Sequence, residues 1–312
     1  MRACAVIGAC AMLLWPLTSA DAVDWRDVRL EPRSIDAAGT TFSVATVGEG
    51  PTLLLLNGTA SPMNEWDPAL LGALAEHHRV IVFDYPGLGT SGPAPASWTF
   101  DHAASWVSDL IDEVSPGEPV DVLGWSMGGF IAQRLAVRHP EQVRRLVLAA
   151  TNPGGDGAVL GPDWVQQADS DGSIGDYLRS NYPAGARAAG RAFLDRIASA
   201  VDSGAYPPGP VPARTARDMV RAEDPWLRSN ANAASLHRIT APTLVMTGAS
   251  DVVTPPVNSR RIARLIPQAD LVLVPGAGHS FLFQRPRDIA RQLNAFLDPA
   301  PADAGRPGAS QG

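Results

Sequence analysis

Cysteine is almost absent from this sequence of 312 residues, and its two cysteines, Cys4 and Cys10, lie within the first ten positions. The rest of the chain therefore has no side chain for a disulfide bond or for thiol chemistry. Glycine-rich phosphate loops of the Walker or dinucleotide type are also absent, as are internal repeats with solenoid periods. These absences argue against thiol enzymes, against nucleotide-dependent enzymes built on such loops, and against repeat scaffolds.

Positive charge is also scarce. The chain carries 25 basic and 32 acidic side chains, which gives a net charge of −7 at pH 7, and its arginines are scattered. Because nucleic-acid binding depends on a concentrated basic surface, nucleic acid is not an expected partner. A small-molecule substrate is expected instead.

The first 22 residues have the pattern of a secretory signal peptide. One arginine precedes an apolar stretch too short for a membrane span, and small residues stand at Thr18, Ala20 and Ala22. This pattern predicts that residues 1–22 are removed after Ala20 or Ala22. The mature protein is then expected in the periplasm or the medium, without stable membrane association.

Two other interpretations of this segment remain open. Residues 7–10, Ile-Gly-Ala-Cys, loosely resemble a bacterial lipoprotein box, which predicts a lipid anchor on Cys10, although the apolar run continues beyond it. If Met12 is instead the true start, the protein is predicted to be cytoplasmic.

The remaining chain has the alternation of an α/β protein. Apolar content is 45%, and strand-like segments alternate with amphipathic helices over residues 52–150 and again over 243–297. This predicts a mostly parallel central sheet with helices on both faces, built from residues 23–151 and 239–298. Residues 152–238 interrupt the pattern, with helices predicted at 189–201 and 213–222. Residues 299–312, rich in Pro, Ala, Gly and Ser, are predicted to be a disordered tail.

One serine has the setting of a nucleophile. Ser126 lies in Gly-Trp-Ser-Met-Gly-Gly at 124–129, after a strand-like segment and before apolar positions spaced as in a helix. A serine at such a strand-to-helix corner takes a strained backbone conformation, and its small neighbours let strand and helix approach closely. The pattern predicts that the Ser126 hydroxyl is held out into a cleft.

A serine hydroxyl is a poor nucleophile at neutral pH, so it requires a base and a group that orients the base. Of the six histidines, His279 has the most suitable setting, on a glycine-rich loop directly after strand-like residues 271–274. Asp251 occupies the equivalent place one strand earlier, where a carboxylate can accept from the imidazole Nδ1. The other histidines are predicted at the surface or at helix ends, and His77 and His78 are both expected to be solvated.

The order Ser126, Asp251, His279 is the triad order of α/β-hydrolases, and the chain resembles that superfamily over most of its length. Three more segments are similar to family motifs: residues 53–59, 84–91 and 144–148. The resemblance implies an α/β-hydrolase fold. It also implies that residues 152–238 are a helical cap inserted over the nucleophile.

The resemblance further implies an oxyanion hole formed by the backbone N–H groups of Thr59 and Met127. Thr59 ends the turn Asn57-Gly58-Thr59, in which Asn57 stands where the family commonly has histidine. Four residues near this turn and the nucleophile are candidates for the substrate pocket: Asn57, Gly58, Met63 and Trp125.

These residues predict acyl transfer through an acyl-enzyme on Ser126, with no need for a metal or an organic cofactor. The favoured substrate is a small, largely apolar carboxylic ester or lactone. Cofactor-free perhydrolase or haloperoxidase chemistry and carbon–carbon bond hydrolysis use the same groups and remain alternatives. A non-catalytic binding module on the hydrolase scaffold is a further alternative.

Overall fold

The described part of the molecule, residues 23–165 and 173–298 of a computed structural model, is built around one eight-stranded sheet. The strands are β1 (Arg33–Ala37), β2 (Thr40–Val47), β3 (Thr52–Leu56), β4 (Arg79–Asp84), β5 (Val120–Trp125), β6 (Val143–Ala149), β7 (Thr243–Gly248) and β8 (Asp270–Val274). Their order in the sheet is β1-β2-β4-β3-β5-β6-β7-β8. The β1–β2 and β2–β4 pairs are antiparallel and the other neighbours are parallel, which confirms the predicted mostly parallel sheet.

The central strands are apolar throughout because both faces of the sheet are covered. In β3, Leu53 and Leu55 pack in one hydrophobic cluster while Leu54 and Leu56 pack in another, as the two-residue period of a strand requires. At the edge, β1 and β2 form a hairpin. Its two turn residues, Ala38 and Gly39, have φ values of 54° and 73°, the left-handed conformation of a tight two-residue hairpin.

Helices lie on both faces of the sheet. They are α1 (Pro68–Ala75), α2 (Phe100–Val114), α3 (Met127–Arg138), α4 (Ile174–Asn181), α5 (Arg187–Asp202), α6 (Ala213–Arg228), α7 (Ala231–Ser235), α8 (Pro256–Leu265), α9 (Phe281–Gln284) and α10 (Pro286–Leu297). The apolar sides of α2, α3 and α8 pack on one face, and those of α1 and α10 pack on the other. Among the residues described, no helix is both long enough and apolar enough to cross a membrane.

The helices α4 to α7 lie between β6 and β7, in the segment predicted as a cap. The predicted helices at 189–201 and 213–222 correspond to α5 and α6, while α4 and the short α7 were not predicted. The second prediction ended before Pro225, but α6 continues through this proline to Arg228. Burial of the Trp226 ring against Phe100 and Phe130 holds this last turn on the core despite the missing backbone donor.

The predicted signal peptide, residues 1–22, and the predicted disordered tail, residues 299–312, lie outside the described residues.

A buried ion pair attaches the cap helix α5 to the core. The Arg196 guanidinium donates from Nε to Asp67 Oδ1 at 2.9 Å and from Nη2 to Asp67 Oδ2. Asp67 is fully buried and also caps the N-terminus of α1 through the Ala69 amide. The carboxylate therefore joins the first core helix to the cap.

Replacing Arg196 with methionine is expected to lower the free energy of unfolding by about 3–5 kcal/mol, because it leaves Asp67 buried without its counter-charge. Urea denaturation measures this loss. Arg291→Met is the matched control, since it removes an exposed pair with Asp288 on α10 and is expected to cost at most about 1 kcal/mol. Equal losses in the two variants would show that Arg196 does not anchor the cap.

Candidate active site

The corner after β5 has the geometry of a nucleophile elbow. Ser126 has φ 55° and ψ −119°, a strained conformation for a residue with a side chain, and α3 begins at the next residue. A Cβ atom on Gly124 would lie 2.4 Å from the Gly128 carbonyl oxygen, and one on Gly128 would lie 2.1 Å from the Leu56 carbonyl oxygen. Glycine at these positions is therefore required for strand and helix to meet, and the sharp corner leaves the serine side chain half-exposed.

The three predicted triad side chains meet at one place, although Ser126 and Asp251 lie 125 positions apart in the sequence. The Ser126 Oγ lies 3.1 Å from His279 Nε2, and His279 Nδ1 lies 3.0 Å from Asp251 Oδ2. Each residue follows the carboxyl end of a parallel strand, so the sheet itself brings them to a common edge. The imidazole can accept the serine proton on one nitrogen while it donates to the carboxylate from the other.

Asp251 is held by four donors in addition to the imidazole. Its Oδ1 accepts from the backbone N–H groups of Val253 and Thr254 at 2.8 and 2.9 Å. Its Oδ2 accepts from the Thr247 and Thr254 hydroxyls at 3.1 and 2.9 Å. So many donors suit an ionised carboxylate and fix its orientation. The two threonines were not found from the sequence, although Thr254 stands three residues after Asp251 as a hydroxyl that can fold back on the carboxylate.

The loop that carries His279 is fixed on both sides. The Trp125 indole donates to the His279 carbonyl oxygen at 3.2 Å, and its ring lies 5.5 Å from the imidazole. On the cap side, the Ser280 hydroxyl donates to Asn181 Oδ1 at 2.9 Å, where helix α4 ends. The catalytic imidazole is therefore positioned by the core and by the cap together.

The predicted oxyanion-hole residues belong to two segments that lie next to the nucleophile. Met127 is the first residue of α3, so its N–H has no acceptor within the helix. Thr59 follows Gly58, where an added Cβ atom would lie 3.5 Å from the Ser126 Cβ, and the turn therefore lies against the serine. The Thr59 hydroxyl donates to Glu223 Oε1 of the cap helix α6 at 3.0 Å.

Asn57 braces this turn in place of the family's histidine. Its amide nitrogen donates to the Ser61 and Pro62 carbonyl oxygens at 3.0 and 2.7 Å, and its amide oxygen accepts from the Trp66 indole. The asparagine thus closes the loop from residue 57 to residue 62, which keeps the Thr59 amide at a fixed position.

The pocket predictions need correction for two residues. Asn57 and Met63 are 2% and 1% exposed, so neither offers surface to a substrate. The Asn57 amide is used by the loop, and the Met63 side chain packs in the core while its N–H donates to Asp84. Gly58 lies against Trp125 and Ser126, and the Trp125 ring lies beside the His279 imidazole, but both residues are buried.

Of the histidines outside the triad, His78 was predicted incorrectly. Its side chain is fully buried, whereas the neighbouring His77 is exposed as expected. Burial lowers the pKa of His78. His78 directly precedes β4, at the edge of the sheet opposite the carboxyl ends of the parallel strands. Its burial therefore contributes to the packing of the core and not to the active site.

A mostly parallel sheet with a strained serine, a histidine and an aspartate in hydrogen-bonding line is the arrangement of a nucleophilic enzyme of the α/β class. The chain belongs to the alpha/beta hydrolase fold family, whose family model matches residues 51–286.

Several known proteins are similar to this chain. It is 31% identical to the pimeloyl-[acyl-carrier protein] methyl ester esterase of Chromobacterium violaceum, over 82% of this chain and 97% of the relative. It is 31% identical to the poly(3-hydroxyalkanoate) depolymerase of Ectopseudomonas oleovorans, over 78% of this chain and 83% of the relative. A third relative, polyketide synthase ThaQ of Burkholderia thailandensis, is 30% identical over 83% of this chain, and the match spans only 12% of that protein's length.

Among solved structures, an alpha/beta hydrolase fold protein from Chitinophaga pinensis superposes with a TM-score of 0.76. The superposition covers 89% of this chain and all of the other, at 22% identity. At this identity the likeness supports the fold alone.

Proposed function

We propose that this chain hydrolyses small, largely apolar carboxylic esters or lactones through an acyl-enzyme on Ser126. The chain is an enzyme of the carboxylic-ester hydrolase type. Two relatives to which it is 31% identical have names that specify a methyl ester and a polyester as substrates. The observation that carries the mechanism is the line of contacts from Ser126 Oγ to His279 to Asp251, at 3.1 and 3.0 Å.

In the first half of the reaction, His279 Nε2 takes the proton of Ser126 as the Oγ attacks the substrate carbonyl carbon. The carbonyl oxygen becomes an oxyanion between the N–H groups of Thr59 and Met127. When the tetrahedral intermediate collapses, the carbon–oxygen bond to the alcohol breaks, and the alcohol leaves with the proton from His279. The acyl group remains on Ser126.

In the second half, His279 removes a proton from a water molecule, which attacks the acyl carbon. The bond to Ser126 Oγ breaks, the serine recovers its proton from His279, and the carboxylic acid leaves. Asp251 keeps the histidine proton on Nδ1 throughout, so that Nε2 is free to accept at the start of each half.

Incubation with a fluorophosphonate probe tests the nucleophile directly. The folded protein is expected to gain one phosphonyl group, and peptide mass spectrometry should locate it on Ser126. Absence of labelling on the folded protein would contradict the proposal and favour a non-catalytic binding module.

Hydrolysis of p-nitrophenyl esters of increasing acyl length then tests the substrate class, with short chains expected to give the highest kcat/KM. A parallel panel of lactones and diketones, and the same esters with added peroxide, separates the related chemistries. Turnover of diketones or formation of a peracid in preference to ester hydrolysis would overturn the ester assignment while leaving the nucleophile intact.

A further inference from the structure

The turn that carries Thr59 is strained. The Ser61 N–H donates to the Gly58 carbonyl oxygen at 3.3 Å, which closes a β-turn over residues 58–61. Ala60, the third residue of this turn, has φ 54°. This left-handed conformation favours glycine, because the Cβ atom of any other residue crowds the backbone there. A strained turn of this kind keeps its shape only while the surrounding structure holds it.

Contacts from two sides hold the turn. Within its own loop, Asn57 donates to the Ser61 and Pro62 carbonyl oxygens. From the cap, Glu223 accepts the hydrogen bond of the Thr59 hydroxyl at 3.0 Å. Both of these side chains are partly buried, so water competes with their hydrogen bond less than it would at the surface. The cap therefore contacts the one residue of the turn that supplies an N–H to the proposed oxyanion hole.

The cap helix that carries Glu223, α6, is itself attached to the core near both ends. Near its N-terminus, the Thr215 hydroxyl donates to the Gly87 carbonyl oxygen at 3.0 Å. Near its C-terminus, the Trp226 indole donates to Asn152 Oδ1 at 2.9 Å. Positions 215, 223 and 226 share one side of a helix, so the side that carries Glu223 is the side that lies on the core. Glu223 is thus a fixed acceptor for the turn.

The contact also decides what the Thr59 hydroxyl does. A hydroxyl has one hydrogen to donate, and here Glu223 accepts it. In the proposed mechanism the oxyanion is therefore bound by the N–H groups of Thr59 and Met127, while the hydroxyl holds the first of these N–H groups in place. Stabilisation of an oxyanion depends on donors that are fixed before the reaction. A turn free to relax would therefore lower kcat without weakening the binding of the ester.

We propose that Glu223 is a positioning residue: through the Thr59 hydroxyl, the cap helix α6 holds the Thr59 N–H at the place where the oxyanion forms. This proposal rests on the proposed ester hydrolase function and gives the cap a role in the chemical step of that reaction. Glu223 acts through Thr59 and not on the substrate itself.

Three variants test the contact, with a p-nitrophenyl ester as substrate. Glu223→Ala removes the acceptor, Thr59→Val removes the hydroxyl but keeps the backbone N–H, and the double variant removes both. Each single change is expected to lower kcat about tenfold and to change KM less than about twofold, since complete loss of an oxyanion-hole donor costs about 10²–10³-fold. The double variant should be no slower than the single variants, because both changes break the same hydrogen bond.

Two more variants serve as controls. Glu223→Gln keeps an oxygen that accepts from the Thr59 hydroxyl, so it should recover most of the native kcat. Asp224→Ala, at the next position of α6, removes an exposed carboxylate that pairs with Arg228 and should leave kcat and KM unchanged. Melting temperatures show whether each variant is folded, and Thr59→Val tests the same hydrogen bond without a change in the cap.

The possible failures are distinguishable. If the native protein hydrolyses the ester but Glu223→Ala keeps or raises kcat, the assignment of Glu223 is overturned while the ester hydrolase function stands. Losses that multiply in the double variant would also overturn it, because Glu223 would then act by a route other than the Thr59 hydroxyl. If the native protein hydrolyses no ester and takes no fluorophosphonate label, the proposed function fails and the positioning role with it.

Discussion

Replacing Ser126 with alanine is expected to lower kcat for ester hydrolysis by about 10⁶-fold, the size of the loss when the nucleophile of a serine protease triad is removed. The variant keeps the oxyanion hole and the cleft but can no longer form an acyl-enzyme. His279→Ala should cause a similar loss, because the serine and histidine act as one unit through their 3.1 Å contact. Initial rates with a p-nitrophenyl ester, measured on purified protein, give the effect.

The loss is not additive in the double variant Ser126→Ala/His279→Ala, since either change alone already removes the nucleophilic mechanism. Ser105→Ala is the matched control. Its hydroxyl lies on α2 and donates to the Asp101 carbonyl oxygen, far from the elbow, so activity should stay close to the native value. A Ser126→Ala protein with more than a tenth of the native rate would mean that another residue, or water alone, attacks the substrate.

The sheet and the triad could be predicted from the sequence because both depend on local patterns. Apolar strands buried on both faces and separated by amphipathic helices define a parallel sheet, and parallel strands end at one edge. Ser126, Asp251 and His279 each follow such a strand, so their convergence needed no knowledge of long-range packing. The glycines at 124 and 128 signalled the elbow because only glycine lets the backbones approach that closely.

The supporting residues could not be predicted in this way, since they depend on which loops meet in space. Asn57 closes its own loop through two backbone carbonyls, and this use was not visible from its place in the family's turn. Helix α4 was not predicted, yet its last residue, Asn181, binds Ser280 beside the catalytic histidine.

Replacing Asp251 with asparagine is expected to lower kcat by about 10⁴-fold, the size of effect known for the equivalent change in a serine protease triad. The reason lies in the donors around the carboxylate. The backbone N–H groups of Val253 and Thr254 require an acceptor, so the amide oxygen of the new side chain would face them. Its amide nitrogen would then face His279 as a donor.

An amide donor at this place changes the imidazole tautomer. His279 Nδ1 would have to accept a hydrogen bond, which places the ring proton on Nε2, opposite the Ser126 hydroxyl. A protonated Nε2 cannot take the serine proton, so the base is lost although the serine and the imidazole are still present. The rate at which a fluorophosphonate labels the Asp251→Asn variant should fall together with kcat. The melting temperature of the variant should change little.

Two further variants serve as comparisons for Asp251→Asn: one removes a carboxylate elsewhere, and the other removes a hydroxyl that orients the Asp251 carboxylate. Asp270→Asn removes an exposed carboxylate at the start of β8 and should leave kcat unchanged. Thr254→Val removes one hydroxyl that binds Asp251 but keeps the carboxylate, so its effect on kcat should be far smaller than that of Asp251→Asn. If Asp251→Asn instead retained kcat within tenfold of the native protein, the carboxylate would not be setting the tautomer, and His279 would have to be oriented by Thr254 and the Trp125 contact alone.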